Sequence, residues 1–236
     1  MYCLAFAERD HGSDLSAIQT RGEVVGNDVV VTGIKTWVTG ADRAEAALVL
    51  CRTALRELSC VLVPLADEAV ELRPIRVLSG DNDLFELRFD AARAPVSSLR
   101  SDGLQVALRE LQQVHCSDLE SEFWELVETI RQYGRDGDPH IRQQLAWAYA
   151  QVRVIRALMQ REPLLANVVS SEYHRRFGEI AIDVMGPDGL LRSDVEAYAG
   201  SRWQQVFLNS RGETLAPRTS EVQRDLIAEQ HLGLPG

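Results

Sequence analysis

Over the first hundred residues, short apolar runs bounded by turn residues predict β-strands. Two valine runs, 24–25 and 29–31, flank the turn residues Gly26-Asn27-Asp28, which is typical of a β-hairpin. Further short apolar runs end at turn residues and cover 46–51, 59–64, 70–77 and the nearly alternating stretch 84–90. Strands this short and this closely spaced predict a β-sandwich or barrel.

After a connector rich in Ser, Pro and Gly, the period changes to that of an α-helix. Apolar residues at helical spacing predict helices within 119–130, 141–159, 164–185, 194–208 and from 219 onwards. Pro139 suits a first helical turn, and Gly186 suits a helix end. The predicted fold class is therefore α+β, with an N-terminal β domain over residues 1–100 and an antiparallel helical bundle over residues 101–236.

Composition adds that the chain is an acidic globular protein. Its 236 residues are 45% hydrophobic and 25% charged, with a net charge of −10. Such a chain can bury a sizeable core without a disulfide or a metal. The acidic balance argues against nucleic acid and against anionic membrane surfaces as partners. No apolar run approaches 18 residues, so no membrane span is predicted.

The cysteines and the single lysine narrow the candidate chemistry further. Cysteines at 3, 51, 60 and 116 lack zinc-ligand spacing, so no metal site is predicted and we expect reduced thiols in a cytoplasmic protein. Lys35 is the only lysine and hence the only candidate for Schiff-base chemistry. The chain opens on the apolar run 1–7 with no signal peptide, as if in the middle of a fold.

Three stretches carry a specific resemblance. They are 7–15 (AERDHGSDL), 31–41 (VTGIKTWVTGA) and 219–229 (TSEVQRDLIAE). In this order and spacing they resemble the flavin-dependent acyl-CoA dehydrogenase family. The resemblance covers the family's middle β domain and its C-terminal helical domain. The family's N-terminal helical domain has no counterpart in these residues.

The resemblance implies a fold, a cofactor and a reaction. Family members bind FAD between the β domain and the helical bundle, and a neighbouring subunit completes the site. A carboxylate removes the α-proton of an acyl-CoA thioester while the β-hydride passes to FAD, and the electrons then pass to an electron-transferring flavoprotein. We therefore expect FAD, an acyl-CoA substrate from lipid metabolism, that flavoprotein, and a homo- or hetero-oligomer with another family subunit.

The same resemblance nominates site residues, each with an ordinary structural alternative. The expected cofactor-binding residues are Trp37, Thr39, Thr219, Gln223 and, by a looser match, Arg135. Gly12 and Ser13 match residues on the substrate side. The alternatives are a Trp and a Thr packed in a strand, and a serine that only forms a turn. Two positions depart from the family pattern, because Ala7 replaces a flavin-bonding threonine and Arg9 replaces a proline.

The catalytic base is the main departure from the family. The two positions where members carry the glutamate hold Pro217 and Val114, and neither side chain can take a proton. Glu110 lies one helical turn before Val114 and is a displaced candidate, with an ordinary surface glutamate as its alternative. His115 is a poorer substitute for this role. Arg218, where members have glycine, is either an anion clamp or a solvated arginine.

Two hypotheses for function follow. In the first, the chain is an FAD-dependent acyl-CoA dehydrogenase. In the second, it is a catalytically silent partner subunit or truncated homologue that completes a flavin site in a mixed oligomer. The retained Trp37, Thr39 and last-helix motif favour the first, and the missing base favours the second.

Overall fold

The computed structural model describes residues 1–53, 57–80, 83–112, 118–191, 201–216 and 218–235. These residues form two compact units, Met1–Leu111 and Gln112–Gly236. The predicted start of the fourth bundle helix at 194, and the positions of Val114, His115 and Pro217, lie outside the described residues.

The first unit is a curled, mixed half-barrel sheet. Its seven strands are β1 Tyr2–Ala5, β2 Arg21–Val25, β3 Asp28–Thr39, β4 Ala46–Arg52, β5 Leu58–Pro64, β6 Val70–Pro74 and β7 Leu84–Pro95. The order is β1-β4-β2-β3-β7-β6, with β5 paired to β4. Strand β4 runs parallel to β1 and touches β2 in parallel at one residue pair, and the other pairings are antiparallel.

Six of the seven strands overlap the apolar runs that predict them, and β1 lies in the opening apolar run, which was not predicted as a strand. The predicted hairpin is β2–β3, and its turn is possible because Gly26 adopts a φ of 63°, which glycine reaches without steric cost. Strands β4 and β5 have nearly continuous apolar runs because one face of each strand lies in the core of the half-barrel and the other face lies in a second apolar cluster. The fold class predicted from the sequence is thereby confirmed for this unit.

One helix belongs to the β unit. Helix α1, Gly103–Gln112, packs Ala107 against Phe6, Leu50 and Cys60 in a second apolar cluster. Its start comes so close to β5 that a Cβ on Gly103 would lie 2.4 Å from the Ser59 backbone. The helix can approach the strand this closely because glycine has no side chain.

The second unit is a bundle of five helices among the described residues. They are α2 Leu119–Gln132, α3 Pro139–Met159, α4 Pro163–Met185, α5 Ser201–Glu213 and α6 Ser220–Leu232. Helix α4 is central, since it contacts each of the other four. Side-chain caps from Asp118, Asp138 and Thr219 begin three of the helices. Gly186 ends α4, and Gly233 ends α6 in a left-handed conformation, as the sequence predicts.

The bundle core consists of the apolar stripes identified in the sequence. Leu126 and Ile130 of α2, Ile155 of α3 and Phe177 of α4 are essentially inaccessible to solvent. Across the described part of the chain, no helix is both long and apolar enough to cross a membrane.

Candidate functional site

Trp37 stands on the exposed face of β3 in an unusual backbone conformation. Its φ is 59°, and the pairing of β3 with β7 shifts register between Lys35 and Val38. A bulge of this kind re-aims a side chain, and a bulky residue at positive φ is uncommon and costs energy. The indole is 57% exposed, so the interpretation of a Trp packed inside a strand does not describe it.

Thr39 lies two residues further along β3 and is also exposed. The intervening Val38 is fully buried. Trp37 and Thr39 are thus both accessible, on either side of a buried residue at this end of β3.

Gly12 and Ser13 lie in the loop of residues 8–20, which connects β1 to β2. Glu8 and His11 form a backbone bridge with N–O distances of 3.0 and 3.1 Å. Gly12 is exposed with open space around its α-carbon, and Ser13 is half-buried. We refer to this segment as the 8–20 loop.

A buried polar cluster fastens the 8–20 loop to β3. Glu8 Oε1 accepts hydrogen bonds from Lys35 Nζ at 2.9 Å, from Thr20 Oγ1 at 2.6 Å and from Thr20 N at 2.8 Å. Glu8 Oε2 accepts from Gln19 N at 2.7 Å. Lys35 Nζ also donates to the Phe6 carbonyl at 2.9 Å. The cluster therefore contains a nearly dry ion pair, Glu8–Lys35.

The pKa values of Glu8 and Lys35 depend on their burial, on the hydrogen bonds that Glu8 accepts and on the attraction between the two charges. Burial alone would raise the pKa of Glu8, but hydrogen bonds from Thr20 and the charge of Lys35 outweigh burial and lower it. Burial lowers the pKa of Lys35, and Glu8 opposes that shift. The only lysine is thus a fully buried ion-pair partner, with its amine occupied by Glu8 and Phe6.

The two residues that depart from the family pattern also tie the loop to the sheet. The Ala7 carbonyl accepts a hydrogen bond from Thr36 N at 3.0 Å. The Arg9 guanidinium donates twice to Glu86 Oε2 on β7, at 2.7 and 2.9 Å. Arg9 therefore supplies a second ion pair between this loop and the sheet.

Glu110, the displaced base candidate, lies on an accessible surface of α1. Its Oε2 accepts a hydrogen bond from Tyr2 Oη at 3.1 Å, in a solvent-exposed contact. Tyr2 is itself 47% exposed. A general base that removes a weakly acidic α-proton needs a dry environment to raise its pKa. The β unit by itself gives Glu110 no such environment.

Thr219 and Gln223 lie at the start of α6. Thr219 Oγ1 caps the helix by accepting from Val222 N at 3.3 Å. Gln223 is buried, and its Nε2 donates to the Arg218 carbonyl at 2.7 Å. Within the described part of the chain, Gln223 Oε1 has no hydrogen-bond partner. This leaves one buried acceptor at the helix start.

Arg135, the loosely matched cofactor residue, is engaged inside its own unit. Its guanidinium donates to the Asp183 carbonyl at 2.7 Å and to Asp138 Oδ2 at 2.8 Å. Asp138 also caps α3, so Arg135 ties that helix start to the end of α4. A role toward a partner's cofactor would need Arg135 to exchange these contacts.

Sequence reasoning missed two buried ionic clusters. One is Glu8–Lys35, for which the signal was present, because both residues lie in the quoted motifs. The other centres on His174 of α4, whose Nδ1 lies 2.6 Å from Glu213 Oε2 and whose Nε2 lies 3.4 Å from Glu122 Oε2. No local pattern predicts this second cluster, since its members come from three helices.

Comparison with known proteins assigns both units. The model for the acyl-CoA dehydrogenase middle domain matches residues 3–92, and the model for the acyl-CoA dehydrogenase C-terminal domain matches residues 114–232. The acyl-CoA dehydrogenases IpdE1 of Mycobacterium tuberculosis and Mycolicibacterium smegmatis are each 32% identical to this chain. The alignments span 100% of this chain and 67% and 68% of those proteins, respectively.

Solved structures agree at the level of fold. The ChsE4-ChsE5 complex from Mycobacterium tuberculosis superposes with a TM-score of 0.85 at 20% identity, over 100% of this chain and 69% of that one. The Tcur3481-Tcur3483 steroid ACAD gives 0.81 at 21% identity, over 99% and 68%. Together with the domain matches and the IpdE1 relatives, these results place the chain in the acyl-CoA dehydrogenase family.

Proposed function

We propose that this chain is a subunit of an FAD-dependent acyl-CoA dehydrogenase, which introduces a double bond between the α- and β-carbons of a CoA thioester. One observation carries the proposal. Trp37, within a family motif, keeps an exposed indole at a φ of 59°. A protein retains such a strained, accessible aromatic residue where the strain serves a site.

The residues present fit a flavin. The exposed indole offers a flat apolar face to an isoalloxazine ring, and the exposed Thr39 offers a hydroxyl two residues further along β3. In the helical unit, the unpartnered Gln223 Oε1 is a buried acceptor for a ligand donor. When bound, FAD supplies hydride acceptance from the β-carbon. Trp37 and Thr39 of the β unit and, separately, Thr219 and Gln223 of the helical unit are the residues that would contact FAD, in this subunit's site or in that of a neighbouring subunit.

The reaction also requires a base that removes the α-proton, and the position of Glu110 favours a base supplied from outside this chain. Glu110 accepts a hydrogen bond from Tyr2 in an exposed contact, so it acts as base only if further protein covers it. The alternative function is therefore a catalytically silent partner subunit, in which a second family member supplies the carboxylate. Its specific support is the pair Val114 and Pro217 at the usual base positions.

Mixed assemblies exist among similar folds. The ChsE4-ChsE5 structure is a complex of two chains by its own description. We propose the same kind of assembly here, with acyl-CoA as substrate and an electron-transferring flavoprotein as electron acceptor. We also propose a cytoplasmic location, which the buried thiols of Cys3, Cys51 and Cys60 favour.

The visible spectrum of the purified chain tests the proposal. The chain is purified alone and, separately, after co-expression with a second acyl-CoA dehydrogenase subunit from the same organism. Acyl-CoA thioesters are then added without oxygen. A yellow protein that bleaches supports a dehydrogenase. A chain that becomes yellow only with its partner supports the silent subunit. If neither preparation ever holds FAD, the flavin proposal is wrong.

Two variants locate the base. Glu110→Gln removes the candidate carboxylate at constant shape, and Glu229→Gln on exposed α6 is the matched control. If Glu110 is the base, bleaching stops in the first variant and persists in the second. Unchanged bleaching in Glu110→Gln shows that Glu110 is not the base.

A further inference from the structure

We propose that the buried Glu8–Lys35 pair is a positioning device, which fixes the 8–20 loop against the segment of β3 that carries Trp37. Gly12 and Ser13 lie on the loop, and Trp37 and Thr39 lie on the strand. The pair would thereby set the distance between the substrate side and the flavin side of the site. This inference rests on the proposed flavin site for its functional part only.

On the loop side, the Glu8 carboxylate connects the two ends of the 8–20 loop. Glu8 begins the loop, and its two oxygens take the backbone N–H groups of Gln19 and Thr20 at the other end, at 2.7 and 2.8 Å. The Thr20 hydroxyl adds a third bond at 2.6 Å. Bonds from both ends of a loop to one buried group restrict every residue between them.

On the strand side, the lysine holds both the loop and the chain before it. Lys35 Nζ reaches Glu8 and also the Phe6 carbonyl, each at 2.9 Å. Lys35 stands two residues before Trp37, at the edge of the register shift. The backbone hydrogen bond from Thr36 N to the Ala7 carbonyl lies next to these contacts, because Ala7 stands between Phe6 and Glu8 and Thr36 follows Lys35. The bulge that presents Trp37 and the start of the loop are therefore fastened at the same place.

A close backbone contact makes the arrangement tighter. A Cβ on Gly33 of β3 would lie 2.5 Å from Thr20 Oγ1 and 2.8 Å from Thr20 Cα. The end of the loop thus lies directly on the strand, where no side chain other than hydrogen fits. The same threonine donates to Glu8, so strand, loop end and ion pair form one connected unit.

A positioning role accounts for the buried charges of Glu8 and Lys35 better than a contribution to folding stability does. Replacing a buried ion pair with apolar residues of similar volume is often neutral or stabilising, so such a pair is weak evidence for a stabilising role. A charged pair does specify one geometry, since a displaced lysine would be left without a counter-charge. Glu8–Lys35 lies inside the segments that carry the site residues, where a fixed geometry has a use.

Hydrogen exchange of the flavin-free full chain tests the positioning directly. The variants are Glu8→Gln and the uncharged double variant Glu8→Gln with Lys35→Met. The matched control is Glu71→Gln, which removes the exposed Arg73 ion pair on β6 and leaves the 8–20 loop and its contacts in place. We expect amides of the 8–20 loop to exchange about tenfold faster or more in both Glu8 variants, with little change in β4 and β5.

Two results would overturn the positioning role. One is unchanged exchange of the loop in a folded Glu8→Gln chain. The other is equal acceleration in β4 and β5, which would indicate general loosening of the unit. If both Glu8→Gln variants fail to fold, Glu8→Asp keeps the charge and shortens its reach. Its loop should then exchange faster than in wild type while β4 and β5 stay protected, and a wild-type pattern overturns the role.

FAD titration supplies the readout that a purely structural role would not change. We expect Glu8→Gln to weaken FAD binding about tenfold or more, Glu8→Asp to recover part of it, and Glu71→Gln to bind like wild type. Equal FAD affinity in a Glu8→Gln chain with a loosened loop overturns the link to the flavin. If wild type binds no FAD either alone or together with its partner subunit, the proposed function fails, and the exchange result alone decides the role of the pair.

Discussion

In the helical unit, the pKa of His174 depends strongly on the residues around it. It lies between Glu213 of α5 and Glu122 of α2, with Tyr173 beside it and Arg202 paired to Glu122. Burial alone would lower the pKa of His174, but the two carboxylates outweigh burial and raise it to about 9. The imidazolium therefore connects three helices at neutral pH.

The first prediction concerns the pH dependence of stability. Because the folded-state pKa of His174 exceeds its unfolded value, its contribution is complete below about pH 6.5 and is lost as the pH rises through about 9. We expect roughly 2–4 kcal/mol of unfolding free energy to disappear over this window. Denaturant unfolding at several pH values measures it, and His174→Gln should lack the decline. A decline of equal size in both proteins would assign it to other groups.

The second prediction concerns the strained tryptophan. Trp37→Gly removes an exposed side chain and relieves a φ of 59°, so the unfolding free energy should stay within about 1 kcal/mol of wild type. FAD binding should be lost, because the flat apolar face is gone. Ala91→Gly is the matched control, since Ala91 has a φ of 60° on β7, and it should keep FAD. A large loss of stability in Trp37→Gly would show that the indole is part of the core.

Among the elements, the contact between α4 and α5 depends on a missing side chain. A Cβ on Gly178 would lie 2.8 Å from Phe207 Cα. The helices therefore pack with their backbones close together at this point, around the cluster that includes Phe177 and Trp203.

The third prediction compares two glycines of these helices. Gly178→Ala must push α5 away, and we expect a loss of about 1–3 kcal/mol in unfolding free energy. Gly212→Ala meets nothing within 4 Å and should instead stabilise α5 by about 0.5–1 kcal/mol. Thermal or denaturant unfolding of both variants measures the difference. Equal effects would contradict the close packing.

The identity of most elements could be predicted from the sequence. The β2–β3 hairpin follows from its turn residues, and α3 and α4 follow from Pro139, Gly186 and the apolar stripes between them. The location of α1 could not be predicted in the same way. An amphipathic period shows that a helix buries one face, and it does not show whether that face meets helices or, as for Ala107, a sheet.

At the scale of the molecule, each unit has its own apolar cores. The two clusters of the β unit draw only on residues up to Leu111, and the bundle cluster begins at Leu119. The fourth prediction is that a fragment of residues 1–112 keeps a cooperative unfolding transition and a β-rich circular dichroism spectrum. A fragment without a transition would show that the β unit needs the bundle in order to fold.

Only part of the candidate site could be predicted from the sequence, because some of its residues lie in short motifs and others meet only through long-range contacts. Trp37, Thr39, Gly12 and Ser13 are contained in short motifs, and the structure places each of them at least partly accessible. The Glu8–Lys35 pair joins residues 27 positions apart, so its ion pair exists only after the loop closes on β3. Contacts that depend on closure are not encoded in a local pattern.

The buried thiols of the β unit can report how often that unit opens. Burial raises the pKa of Cys51 to about 11 and of Cys60 to about 12, so almost no thiolate exists in the closed unit at neutral pH. An alkylating reagent can then react only during an opening event. In a background with Cys3→Ser and Cys116→Ser, the labelling rates would measure how often the half-barrel core opens at Cys51 and how often the cluster with α1 opens at Cys60.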